Sequence, residues 1–131
     1  MVHKHHIEGY EKFVEFFKNF DANGHKVHIY FGGSKSTTDG LSWCDDCQRA
    51  WPVISEEIEK LEASEPESHF VHVEVGDRVT WKDPKCPFRT DPSTKLMVLP
   101  TIIRWQQPQR LEGDQCEKKE LVQMLFEDDD S

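Results

Sequence analysis

Apolar positions along the chain follow two periods, one typical of helices and one typical of strands. Helical spacing predicts a first helix over residues 10–20 and a second helix that begins near Cys44. Short β-branched and aromatic runs predict strands at residues 27–31, 70–75 and 101–105, with a short fourth strand after them. Asp114 and Glu117 resemble a capping box, so we expect a last helix to begin there.

Strands that alternate with helices in this order predict an α/β fold, in which a central sheet is flanked by helices. The length of 131 residues suits a single domain over 1–131. We interpret residues 1–6 and 127–131 as loose ends, because neither segment has an apolar pattern. The first segment holds three histidines. Histidines can bind metal, but we favour a solvated tail and predict no metal site.

The charge of the chain narrows the classes of partner. Acidic residues outnumber basic ones by 25 to 16, which gives a formal charge of −9. Such a charge opposes nonspecific binding to nucleic acid and to anionic lipid. The longest uncharged apolar stretch, residues 96–103, is too short to cross a membrane. The N-terminus has no apolar core of a signal peptide, so we expect a cytoplasmic protein.

Four cysteines are the first candidates for chemistry: Cys44, Cys47, Cys86 and Cys116. In a reducing compartment a close cysteine pair is typical of catalysis or of metal binding. Structural zinc sites usually draw their ligands from two close pairs. Cys86 and Cys116 each lack a neighbour at short spacing, so we favour a redox pair over zinc. We interpret these two as partly buried small residues, with a secondary redox sensor as the alternative.

The segment Trp43-Cys44-Asp45-Asp46-Cys47 follows a predicted strand and a loop rich in Gly, Ser and Thr, and it opens a predicted helix. The first turn of a helix has unpaired N–H groups and the positive end of the helix dipole, and both favour a thiolate. Cys44 lies at the exposed tip and Cys47 lies inside the first turn. Cys44 can therefore attack a disulfide, after which Cys47 attacks Cys44 and releases the product.

The residues between and beside the two cysteines leave alternatives open. Asp45 and Asp46 suit the first turn of a helix, yet their negative charges also oppose the thiolate. Trp43 is interpreted either as a core residue or as a surface that shields the thiol and touches the substrate.

Two prolines belong to the same pattern. Pro52 follows Cys44 by eight residues and should kink the motif helix. Pro100 lies at the start of a predicted strand, where a missing N–H is tolerated and a cis bond is plausible. A cis Leu99-Pro100 bond would leave the backbone of Leu99 free to pair with an extended substrate.

A Trp-Cys-x-x-Cys helix start, a proline eight residues later and a hydrophobic-Pro-Thr strand start together resemble the thioredoxin family. The resemblance implies a mixed sheet and a cytosolic protein-disulfide reductase, with Cys44 as nucleophile, Cys47 as resolving thiol and Pro100 as cis-proline. It implies electrons from NADPH through thioredoxin reductase, with no bound cofactor. Disulfide-containing proteins, small disulfides such as cystine, and peroxide are the substrates it suggests. The alternative function is a redox-gated binding module in signalling, and the resemblance suggests the dynein light chain as its partner.

The chain departs from the family pattern at two positions. Asp45 stands where the usual motif has proline. Tyr30 stands nearest to the position of a buried acid that accepts the proton of the resolving thiol in ordinary thioredoxins. A water molecule, or a carboxylate such as Asp46, would have to replace that acid. The long loop over residues 32–42 is a third difference, and we expect it to reshape the rim near Cys44.

Overall fold

The computed structural model describes residues 1–64 and 67–127. These residues form five strands and five α-helices, with one 3-10 helix, Gly113–Glu117, before the last α-helix. The strands are β1 (Val2–Glu8), β2 (Lys26–Gly32), β3 (Ser68–Glu74), β4 (Thr101–Arg104) and β5 (Arg110–Glu112). The helices are α1 (Tyr10–Lys18), α2 (Asp45–Ser64), α3 (Arg78–Lys82), α4 (Pro87–Thr90) and α5 (Lys119–Glu127).

The strands form one mixed sheet in the order β1-β3-β2-β4-β5. β1, β3 and β2 run parallel, whereas β4 is antiparallel to β2 and β5 is antiparallel to β4. The predicted α/β class with a central mixed sheet flanked by helices is therefore confirmed. β2 lies at the centre of the sheet, and the chain leaves its carboxyl end toward α2. This connection places the cysteine motif beyond the carboxyl end of the central strand.

Each face of the sheet buries its own core, because successive side chains of a strand point to opposite faces. On one face, Phe31 of β2 packs with Phe13 of α1 and Phe88 of α4. On the other face, Tyr30 packs in the cluster that contains Ile54 of α2 and residues of α5. The two cores hold the sheet between two layers of helices and fix the direction of α2.

The prediction of a loose end over residues 1–6 is wrong. Val2–Glu8 forms an edge strand that pairs in parallel with β3, from Val2 opposite Ser68 to Glu8 opposite Glu74. Val2 and Ile7 are buried, and the histidines between them pack against other rings. The half-buried imidazoles of β1 act as packing residues. A sequence pattern in which histidine counts as polar therefore misses this strand.

At the other end, Glu127 belongs to α5, so the predicted tail does not begin there. The remaining tail residues, 128–131, lie outside the described residues. The start of the last helix also differs from the prediction. Glu112 and Gln115 form the capping box of the 3-10 helix, and α5 follows from Lys119. Within the described residues, the helices are all too short or too polar to cross a membrane.

His72 on β3 gives the fold a dependence on pH. Its imidazole packs on Trp51, with ring centroids 4.7 Å apart, and on Tyr30, at 5.0 Å. Burial, aided by the nearby charges of His6 and Lys35, lowers the pKa of His72 from 6.5 to about 4, although Glu74 opposes the shift. The folded protein therefore favours the neutral ring.

We expect His72 to weaken the fold in mild acid. A histidine whose pKa is lower in the folded state contributes stability that is complete above pH 6.5 and is lost as the pH falls toward about 4. The full loss is up to about 3 kcal/mol. Urea unfolding at several pH values tests this, with His72→Phe as the variant that keeps a ring but cannot be protonated. Equal pH slopes for the two proteins would contradict the assignment.

Candidate active site

The two motif cysteines lie where the chain enters α2. Cys44 immediately precedes the helix and Cys47 lies in its first turn, and their sulfur atoms are joined with the Cα atoms 5.2 Å apart. The backbone N–H of Cys47 donates to the Sγ of Cys44 at 3.2 Å. This N–H is one of those that a helix start leaves unpaired, so it favours negative charge on Cys44.

The two sulfur positions differ in access. Cys44 is 7% exposed and Cys47 is 2% exposed. Cys44 also lines an open groove of about 440 Å³, whereas Cys47 faces a different pocket behind the motif. Cys44 thus faces the groove and Cys47 faces the pocket, and the assignment of Cys44 as the residue that meets the substrate stays a prediction.

The loop before the motif is closed by hydrogen bonds that centre on Ser42. Its hydroxyl donates to the carbonyl of Gly33 at 2.8 Å and accepts from the N–H of Cys44 at 3.2 Å. The side chain of Gln48 donates to the carbonyl of Ser42 at 2.6 Å. The loop is thus tied both to the end of β2 and to the first turns of α2. These ties hold the backbone of Cys44 in place.

Trp43 forms one wall beside the thiol. Its indole Nε1–H donates to the carbonyl of Gly76 at 2.8 Å, and the guanidinium of Arg78 lies 5.0 Å from its ring. Arg78 also donates to the carbonyl of Trp43 at 3.3 Å. The residue is half-buried and packs against the core next to Cys44. Trp43 therefore combines the two interpretations that the sequence left open.

Cations surround the groove beside Cys44. Arg78 and Lys82 line it, and so does Arg89, whose guanidinium lies 3.8 Å from the ring of Trp81. Asp46 forms an ion pair with Arg49, which also contacts Glu117 at 3.3 Å. The groove thus carries more positive than negative charge, in a chain whose formal charge is −9. Positive charge near a thiol favours its thiolate, so these cations act in the direction opposite to that of the two aspartates.

Asp45 and Asp46 suit the first turn of α2, as expected. Both side chains are exposed, and the carboxylate of Asp46 is directed to Arg49 at the surface while Cys47 is buried. This placement does not favour Asp46 as the acceptor of the proton from Cys47.

The peptide bond between Leu99 and Pro100 is cis. Leu99 lines the same groove as Cys44, together with the exposed residues Met97 and Val98. The carbonyl of Pro100 accepts from the N–H of Gly113 at 2.8 Å. The structure therefore brings Leu99 into the same groove as Cys44, whereas Pro100 follows it in the chain without lining that groove.

Tyr30 lies under α2 and behind the cysteine pair. It is 2% exposed, and its ring centroid lies 5.3 Å from that of Trp51. Burial raises the pKa of its hydroxyl, so the phenol stays protonated. Tyr30, Cys47 and His72 share a pocket of about 360 Å³ that is open to solvent at its mouth. Tyr30 is thus a packing residue and not a substitute for the missing acid.

Cys86 and Cys116 take no part in the site. Both are free thiols. They are 2% and 0% exposed, so they are buried more completely than the partial burial that the sequence predicted. Burial raises the pKa of the Cys116 thiol to about 12, so this residue stays protonated. In the part of the chain that the structure describes, the cluster with metal-ligand spacing contains histidine and glutamate rather than cysteine. The structure therefore favours packing roles for both thiols.

Sequence reasoning missed Gly33, Ser42 and Arg78. Arg78 and Gly76 contact Trp43 across more than thirty positions of sequence. No local pattern marks such a contact. Ser42 sits in a loop whose composition indicated only a lack of regular structure.

Comparison with known proteins defines the family. A sequence model described as the thioredoxin domain of thioredoxin domain-containing protein 17-like proteins matches residues 6–128. The chain belongs to this family. Thioredoxin domain-containing protein 17 from Danio rerio is 38% identical over 124 residues, which cover 94% of each chain. The protein of the same name from Mus musculus is 36% identical over 123 residues, again covering 94% of each chain.

A plant relative also matches most of the chain. The thioredoxin-like protein Clot from Arabidopsis thaliana is 34% identical over 120 residues, which cover 88% of this chain and 87% of that protein. The predicted thioredoxin resemblance and the thioredoxin-like fold are therefore confirmed. Membership of this family and a joined Cys44–Cys47 pair indicate a thiol–disulfide oxidoreductase in general terms.

Gly33 offers a test of how closely the loop approaches the motif. A Cβ at this position would lie 2.7 Å from Cε2 of Trp43 and 3.0 Å from the Cβ of Cys44. We expect Gly33→Ala to push the indole aside and destabilise the fold by about 1–3 kcal/mol. Urea unfolding measures the loss, and tryptophan fluorescence reports the movement of the ring.

The matched control is the same substitution in a Trp43→Ala background. There the indole contacts are gone and the Cβ of Cys44, 3.0 Å away, is the close contact that stays, so Gly33→Ala should cost less. An equal loss of stability in both backgrounds would show that the indole is not the obstacle.

Proposed function

We propose that this protein is a thioredoxin-type protein-disulfide reductase, in which Cys44 attacks the substrate and Cys47 resolves the intermediate. The observation that carries the proposal is the hydrogen bond from the N–H of Cys47 to the Sγ of Cys44 at the start of α2. It supports a thiolate at the one cysteine of the pair that lines the open groove.

The reaction balances in two exchanges. The Cys44 thiolate attacks one sulfur of the substrate disulfide, forms a mixed disulfide and expels the other sulfur as a thiolate, which takes up a proton. The Cys47 thiolate then attacks the Sγ of Cys44, forms the Cys44–Cys47 disulfide and expels the remaining substrate thiolate, which is also protonated. Two electrons pass from the protein to the substrate.

Cys47 must lose a proton before the second exchange. Tyr30 remains protonated and Asp46 is paired at the surface, so neither supports that role. The pocket behind Cys47 is open to solvent and contacts both Ser42 and His72. Water in this pocket is the acceptor that we propose.

The proposed place for the substrate is the groove lined by Trp43, Asp45 and Leu99, next to the cis bond between Leu99 and Pro100. Disulfide-containing proteins, small disulfides such as cystine, and peroxide are the proposed substrates. The source of electrons is NADPH acting through thioredoxin reductase, so the protein needs no bound cofactor of its own. A reducing cytoplasm is the compartment in which this cycle would operate.

The test is NADPH consumption in the presence of thioredoxin reductase and cystine. We expect many turnovers per chain for the native protein and none above background for Cys44→Ser. Cys47→Ser should lose turnover and accumulate a mixed disulfide on Cys44, visible by mass spectrometry. Cys86→Ser is the matched control and should keep most of the activity.

Failure of turnover with an intact and oxidisable cysteine pair would contradict the reductase proposal. A redox-gated binding module would then be the better account, with a dynein light chain as the partner to test. Such a module changes its affinity once on oxidation, whereas a reductase cycles.

A further inference from the structure

The edge strand places histidines beside one another on one face of the sheet. His3 and His5 alternate along β1, so both side chains point to the same face. His69 of β3 is the register partner of His3. Its ring centroid lies 4.9 Å from that of His3 and 5.4 Å from that of His5, so His69 stands between the two. Three imidazoles therefore form a row at an open edge.

Two of these rings already have the separation of metal ligands. The Nε2 of His5 lies 3.2 Å from the Nδ1 of His69. Zinc binds imidazole nitrogen at about 2.0–2.1 Å with tetrahedral angles, which places two ligand nitrogens about 3.3 Å apart. A metal ion can replace the proton between these nitrogens after small ring rotations. His3 is half-exposed, and its side chain would have to rotate away from Glu67 to bring a nitrogen to the same point.

The surroundings also suit an ion. The carboxylate of Glu67 lies 3.7 Å from the Nε2 of His3 and 3.4 Å from the Nε2 of His25. A carboxylate next to a ligating histidine commonly orients the ring and strengthens its binding. Phe20 stacks edge-on against His69 with centroids 5.0 Å apart, which shields one side of the row from water.

We propose that His3, His5 and His69 form a binding site for a borderline divalent transition-metal ion, with Zn²⁺ as its representative. Imidazole nitrogens select such ions over Ca²⁺ and Mg²⁺, which prefer oxygen ligands. Because His3 and His5 belong to β1 and His69 belongs to β3, the bound ion ties the edge strand to the sheet. The site lies outside the cysteine motif and needs none of its residues.

A second group on the opposite face is the competing location. His6, Glu8 and Glu74 offer ligand atoms within 4.8 Å of one another. Glu74, however, already accepts from the N–H of Lys35 at 2.7 Å and contacts the Nε2 of His6 at 2.7 Å. An ion there would compete with both contacts of Glu74, whereas an ion at the histidine row replaces the one hydrogen bond between His5 and His69, so we favour the histidine row.

The test is isothermal titration of the untagged protein with Zn²⁺ at neutral pH. The protein is kept oxidised, so that Cys44 and Cys47 cannot bind the metal. We expect one Zn²⁺ per chain, no comparable binding of Mg²⁺, and a higher unfolding temperature that EDTA reverses. The variants His5→Gln and His69→Gln should each weaken binding by at least about tenfold.

His6→Gln is the matched control, since it removes a histidine of the same strand from the opposite face. It should leave Zn²⁺ affinity unchanged. Loss of binding in His6→Gln but not in His5→Gln would place the ion at the competing group and overturn the proposal. Absence of any Zn²⁺ binding by the folded native protein would overturn it as well. Nitrogen NMR shifts of the imidazoles provide a second readout if a glutamine variant fails to fold.

Discussion

The chemistry of this protein depends on the contact between the Sγ of Cys44 and the first turn of α2. The N–H of Cys47 points at that sulfur, and the helix dipole adds its positive end at the same place. A thiolate at this position is both stabilised and turned toward the groove. Moving Cys44 by one residue in either direction would remove the contact and bury or release the sulfur.

The rest of the fold serves to hold this contact. β2 occupies the centre of the sheet and leads into the loop, and Ser42 links that loop to Gly33 and to the backbone of Cys44. Trp43 is fixed from the other side through Gly76 and Arg78. The start of α2 is therefore held by two segments that are distant from each other in sequence, the loop that contains Ser42 and the segment that contains Gly76 and Arg78.

The charges around the groove bear on whether Cys44 is readily ionised, a question that the motif leaves open. The two aspartates oppose a thiolate when they are considered alone, but Arg49 neutralises Asp46, and Arg78 and Lys82 add positive charge on the other side of the groove. The acidic character of the whole chain thus does not extend to the groove.

The sequence was informative wherever the signal was local. The strand-loop-helix setting of Cys44, the apolar periods of the main elements and the proline at residue 100 all predicted what the structure contains. β1 was missed because three of its seven residues are histidines. Whether a histidine packs against other side chains depends on its neighbours in β3, which a local sequence pattern does not contain. Arg78 was missed because its contact with Trp43 joins positions that only the folded sheet brings together.

The central claim is that Cys44 is the reactive thiol and that Cys47 is held behind it. Limited alkylation of the reduced protein with iodoacetamide, followed by peptide mass spectrometry, tests this claim most directly. We predict that Cys44 is modified first, that Cys47 follows slowly, and that Cys86 and Cys116 react only on unfolding. Faster modification of Cys47 or of either buried cysteine would contradict the account.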